Sequence, residues 1–297
     1  MMRHKASLFA GISLFASFCI WSAGEYLESY FPNAAVLVLF LEAVGILLPT
    51  ILLRHFLRPK YTIDFRLKLP HKPRGKMKFW IYSAIAVAFL SIVANYGCLL
   101  LPGYNATEIP VGLLSASIPL QYNAGDFFVL VILAAVAEEM YFRGALFSAY
   151  ENVAGTKICI LASGVMFALL HGSTSNLVGP LLSGIFYAWL TYAFNSIIPA
   201  IAAHGIENLI YYILSHLSNI YSAFGIWKYL PMLSLLCFLL FAWFAFRQAE
   251  KIWPKIQLRP WKANANIRLA TILEIALTPG FLAFVIAYVV KVVLQLL

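Results

Sequence analysis

An all-α polytopic membrane bundle is the fold this sequence predicts, and three observations point to it. Of 297 residues, 62% are hydrophobic and only 11% are charged, with mean hydropathy +0.84. A soluble globular chain is about 45–50% apolar and 25% charged. Apolar runs recur at lengths near the ~20 residues a helix needs to cross a hydrocarbon core. The basic residues also cluster in segments that a regular in-and-out topology places on one side.

Eight to nine spans are expected, at about 6–23, 34–53, 79–101, 127–150, 158–175, 177–195, 197–217, 229–247 and 268–295. The fifth is the shortest apolar run, stopping near His171. Helices follow because backbone groups must be satisfied within each span, and nothing shows the alternation of a barrel strand. The first span follows Arg3, His4 and Lys5, as a signal peptide would. Its apolar run is longer than a signal core, and Ser22-Ala23-Gly24 offers no clean small-x-small cleavage site, so a retained anchor is expected. Cys19, Cys98, Cys159 and Cys237 fall in separate apolar spans with no paired spacing, which suits small core residues rather than disulfides or thiolate metal ligands.

The net charge of +9 has a topological explanation. Nine of the 21 Lys and Arg lie between Arg54 and Lys78, and six more from Arg247 to Arg268. Both segments share a side with Arg3 and Lys5, whereas Glu25, Glu28, Glu108 and Asp126 lie opposite with Lys228. That positive-inside pattern predicts a multi-pass protein of the cell membrane with a cytoplasmic N-terminus. The basic loops can also touch anionic headgroups of the bilayer. Neither loop interleaves bases with aromatics as a nucleic-acid groove does, so no nucleic-acid partner is expected.

No internal repeat or low-complexity linker divides the chain, and residues 1–297 read as one polytopic membrane domain. The segment from Arg54 to Lys78, with Pro59, Pro70 and Pro73, reads as a cytoplasmic loop. Pro102 to Gly125 reads as a semi-apolar loop, re-entrant or interfacial, on the outer side. Pro199 predicts a helix start, and Pro279-Gly280 a kink within the ninth span. The intramembrane polar clusters fall between Ala134 and Asn208; the other spans read as scaffold.

Those clusters are Glu138, Glu139 and Arg143, then Phe167 and His171, then His204 and Asn208. A charged side chain at mid-bilayer costs roughly 2.5–3.5 kcal/mol on insertion scales, so three in one span require a use. At 1.5 Å rise per residue Glu138 lies about 18 Å from the inner end of its span, His171 about 20 Å and Asn208 about 16 Å, with His204 about one turn shallower. The three spans can therefore converge near mid-membrane.

Helical phase divides the carboxylates. Arg143 lies within about 40° of Glu139 and about 140° from Glu138, so it pairs Glu139. Glu138 points elsewhere, into a low-dielectric setting suited to a general base, or else is a buried protonated side chain beside a structural Glu–Arg pair. Phe167 packs one turn from His171 and limits its ring, though a histidine at a helix end is also a common interfacial residue. His204 and Asn208 share a face and can present two N–H donors to one point, as an oxyanion hole does, or else hold helices together. Glu207 either orients His204 or is paired elsewhere.

The motifs Glu138-Glu139-Met140-Tyr141-Phe142-Arg143, Phe167-Ala168-Leu169-Leu170-His171 and His204-Gly205-Ile206-Glu207-Asn208 resemble, in this order, the CPBP (Abi) family of membrane proteases related to type 2 CAAX prenyl endopeptidases. The resemblance covers roughly residues 126–217. It implies an intramembrane endopeptidase in which Glu138 and His171 activate a water and His204 and Asn208 stabilise the oxyanion. Glu139, Arg143 and Phe167 support them. It implies a membrane-embedded or lipidated peptide or protein as substrate. Such proteins are often labelled metalloproteases, and Glu138, His171 and His204 are the ligands if zinc is bound. No His-Glu-x-x-His helix is present and Asn208 is a poor zinc ligand, which favours a metal-free mechanism. A non-catalytic membrane partner, as in bacteriocin immunity or sensor regulation, is the alternative. A proton-coupled transporter is disfavoured because no repeat relates two halves.

Overall fold

The computed structural model describes residues 2–57, 76–99, 120–171, 176–222, 230–255, 273 and 276–296. Among these, the chain forms nine helices and no strand. They are α1 (Met2–Leu27), α2 (34–57), α3 (Lys76–Leu99), α4 (124–154) and α5 (Thr156–Leu170), then α6 (Val178–Phe194), α7 (Ile198–Ser222), α8 (Leu230–Ile252) and α9 (Pro279–Leu296). The stretches Ala6–Tyr30, Ala34–Leu57 and Met77–Asn95 are long and apolar enough to cross a membrane. Thr156–Leu170, Val178–Phe194 and Pro279–Leu294 are shorter apolar helices. The basic segment 58–75 and the outer segment 102–119 lie outside the described residues.

Helix limits follow local chemistry. The Asn33 side chain accepts from the Val36 amide at 2.9 Å and starts α2. Asn123 does the same for α4, accepting from the Asp126 amide at 2.9 Å. Both satisfy a backbone donor that a helix start leaves open. Asn195 closes α6 in the left-handed region (φ 50°), a cap that asparagine tolerates. Pro199 falls in the first turn of α7, as expected from the sequence. Pro279 differs from expectation: it is the first residue of α9 rather than a kink inside a longer helix. Proline suits that position, because its missing N–H would have no helical partner there.

Two helices are not uniform. Helix α2 contains a π-helical turn at Glu42–Leu47, and α4 contains two, at Phe128–Leu133 and Met140–Leu146. Such wide turns release backbone carbonyls and are frequent at functional sites.

Small residues set the closest helix crossings. Gly164 of α5 meets Gly184 of α6, and a Cβ on Gly184 would lie 3.0 Å from the Gly164 Cα. Helices α1 and α9 run parallel. Gly11 packs on Gly280, Phe18 meets Phe284 edge-on at 5.6 Å, and Lys291 pairs with Glu25 at 2.9 Å. Close approach of this kind holds helices together where water supplies no driving force. Helix α4 runs through the centre, and its residues from Tyr141 to Tyr150 are almost wholly buried against α1, α2 and α5.

Candidate active site

Glu138 and Glu139 end the α-helical stretch Ala134–Glu139, between the two π turns of α4. Both are buried, as are Arg143 and His204. Arg143 Nη1 donates to Glu139 Oε1 at 2.6 Å and Nη2 donates to the Gly184 carbonyl at 2.8 Å. Its guanidinium lies over the rings of Phe167 (4.7 Å), Tyr187 (5.3 Å) and Phe142 (5.5 Å). A charge with no water needs such a surround, since desolvation otherwise outweighs pairing.

His204 reaches both carboxylates from α7. Its Nδ1 is 3.0 Å from Glu139 Oε1, and its Nε2 is 4.0 Å from Glu138 Oε2. With Nδ1–H donated to Glu139, Nε2 faces Glu138 across a gap that fits a water bonded to both at about 2.8 Å. The imidazole is fixed on two faces: Tyr187 stacks on it at 5.1 Å, and Phe167 meets it edge-on at 5.6 Å.

His171 caps α5, and its Nδ1–H donates to the Phe167 carbonyl at 2.7 Å, leaving Nε2 as the open nitrogen. Phe167 also packs on its ring at 4.7 Å. Glu138 and His171 line one cavity of about 60 Å³, whose wall includes Trp21 of α1, Leu41 and Ile46 of α2, and Lys291 of α9. A space of ~10–15 Å³ holds one water, so this one holds several. Helices read from sequence as scaffold thus form most of the cavity wall.

Asn208 is turned toward α4. Its Nδ2 donates to the Leu130 carbonyl, inside a π turn, at 3.1 Å. One amide N–H is therefore engaged, and a carboxamide has two. Glu207 accepts a hydrogen bond from the Tyr187 hydroxyl and so acts on His204 through the ring stacked upon it.

Two residues near this site escape the sequence motifs. Tyr187 carries no distinguishing signal, being one of 16 tyrosines in an aromatic-rich chain. Glu42 does: it is a lone carboxylate within the apolar run 34–53. It is fully buried, with its carboxyl against that of Glu138.

The residues do not fit a zinc ion. A tetrahedral zinc with bonds of ~2.0–2.1 Å brings neighbouring ligand atoms to about 3.4 Å, less than the 4.0 Å between His204 Nε2 and Glu138 Oε2. The bond from Nδ1 of His204 to Glu139 leaves Nε2 available and does not bear on this, but among the described residues no three His, Cys, Asp or Glu side chains are grouped to hold a metal.

Residues 120–210 match the family model described as type II CAAX prenyl endopeptidase Rce1-like. Over those residues the chain is similar to the Rce1-like family. No curated protein and no solved structure matches the chain. The Rce1-like match begins just before the cap of α4 and ends in α7, so it includes Glu138, Glu139, Arg143, Phe167, His171, His204 and Asn208. Apolar helices together with this match point to a membrane protein. Helices α1–α3, α8 and α9, with Glu42, lie outside the match.

Proposed function

We propose that the protein is an intramembrane endopeptidase that hydrolyses a peptide bond of a membrane-embedded or lipidated peptide or protein. The observation that carries this is the shared cavity: Glu138 and His171, from two helices, line one space large enough for water. Glu138 accepts a proton from that water while the open Nε2 of His171 orients it. The water oxygen attacks the scissile carbonyl carbon. The developing oxyanion accepts from the amide N–H of Asn208 not given to Leu130 and from Nε2–H of His204, whose imidazole is doubly protonated in this step with Nδ1–H on Glu139. The carbon–nitrogen bond then breaks, and the proton held by Glu138 passes to the leaving amine. Glu139, Arg143, Phe167 and Tyr187 hold His204 in place.

The cavity wall of Trp21, Leu41 and Ile46 supports an apolar or lipidated substrate segment. No step requires a metal, and cleavage is expected to survive prolonged chelation; loss reversed by zinc alone would sink the metal-free mechanism.

The decisive experiment compares peptide termini in host membranes expressing wild type or Glu138→Ala at equal levels, by terminus-enriched mass spectrometry. Termini present only with wild type are expected, and they identify the bond cut. Matched sets of termini, with a cellular phenotype that persists in the mutant, would replace proteolysis with a binding role.

A further inference from the structure

Glu42 is the first residue of the π turn in α2, and that turn packs against the stretch of α4 that bears Glu138. Its side chain is fully buried, and its electrostatic neighbour is the Glu138 carboxyl. Neither oxygen of Glu42 accepts a hydrogen bond, and neither does Oε2 of Glu138. Leu41 and Ile46, on the same turn of α2, line the cavity that Glu138 lines.

Two ionised carboxylates in contact without water repel strongly, so such a pair retains one proton between its members. That proton is also the hydrogen-bond donor the site otherwise lacks. Buried oxygens without a donor are costly, and Arg143, the nearby cation, is engaged by Glu139 and Gly184. A leucine at position 42 would fit the surrounding apolar run and avoid the insertion cost of an acid.

We propose that Glu42 is a positioning residue for Glu138: protonated, it donates a hydrogen bond that holds the Glu138 carboxylate toward the cavity water. This rests on the proteolytic role of Glu138 proposed above. When Glu138 takes the water's proton, Glu42 keeps its own, and the proton delivered to the leaving amine is the one that came from water. Glu42 is therefore neither consumed nor recharged during turnover.

Two substitutions separate this role from packing. Glu42→Gln keeps an N–H donor at the same reach, whereas Glu42→Leu keeps volume and removes the donor. The termini specific to wild type over Glu138→Ala are quantified for both variants at matched expression, with melting temperatures of the purified full chains. Glu42→Leu is expected to lose yield by about 10–100-fold, the scale on which outer partners of reactive groups act, while melting no lower than wild type. Glu42→Gln is expected to recover most of that loss. Equal yields from wild type and Glu42→Leu, or a Gln variant as inactive as the Leu variant at full stability, would overturn the proposal.

Infrared spectroscopy of the purified chain supplies a readout independent of cleavage. A protonated-carboxyl stretch that shifts in heavy water is expected in wild type and absent in Glu42→Gln. Its absence from wild type refutes the shared proton even where proteolysis holds. Its presence with no wild-type-specific termini refutes proteolysis, and with it the positioning role, while leaving the shared proton standing.

Discussion

Arg143 is the residue on which the buried charges depend. It bridges Glu139 to the Gly184 carbonyl with no exposed surface, so removing it leaves the carbonyl without a donor and the carboxylate with His204 alone. Breaking a buried pair from one side costs about 3–5 kcal/mol. Arg143→Leu is therefore expected to melt well below wild type, whereas Arg143→Lys, which reaches one of the two acceptors, falls between; thermal unfolding of the purified proteins checks the order. His204 and Asn208 carry a different expectation. His204→Gln and Asn208→Ala should each lower the rate by about 10²–10³-fold, as loss of one oxyanion donor does, read from initial yields of the wild-type termini. Tyr187→Phe removes the donor to Glu207 and is expected to cost about 1–3 kcal/mol in stability, with slower cleavage because the ring on His204 loses its anchor. The Glu139–Arg143 pair was legible in the sequence because helical phase alone sets it. The bond from Glu139 to His204 was not, because it depends on how α7 is rotated against α4. Glu42 was legible as an oddity in an apolar run, but nothing in that run says which helix it faces.

At the scale of elements, the apolar runs were readable from hydropathy and the start of α7 from Pro199, whereas Pro279, expected as a kink, starts α9. The π turns were not, since apolar sequence carries no mark of a widened turn, yet Glu42, Leu130 and Arg143 all lie in them. The α5–α6 crossing has a sharper test. A methyl on Gly184 would meet the Gly164 Cα at 3.0 Å, Phe167 Cδ1 at 3.1 Å and Arg143 Nη2 at 3.3 Å. Gly184→Ala is expected to destabilise by about 1–3 kcal/mol, since backbone and a packed ring cannot both yield. Gly205→Ala is the contrast, because its nearest neighbour would be the Val131 carbonyl at an ordinary 3.6 Å, and it should melt with wild type.

On the scale of the whole molecule, composition sufficed for the class of fold, and the motifs for the resemblance that the family-model match over residues 120–210 supports. The shape of the cavity needed the full bundle, because Trp21, Leu41 and Lys291 come from helices with no motif of their own. Those helices are where substrate choice is expected to reside. Trp21→Ala should widen the cavity and alter which termini appear, without the full loss of termini expected of Glu138→Ala; terminus profiles of the two variants distinguish them.

The parallel contact of α1 with α9 sets an order of events in biosynthesis. Residues 134–208 leave the ribosome well before Pro279, so Glu138 and His171 are synthesised while the part of the cavity wall that includes Lys291 is still missing. Until α9 docks on Gly11 and Phe18, the cavity lacks the part of its wall that Lys291 forms. A nascent chain arrested before α9 would thus present its glutamates to lipid and to neighbouring chains.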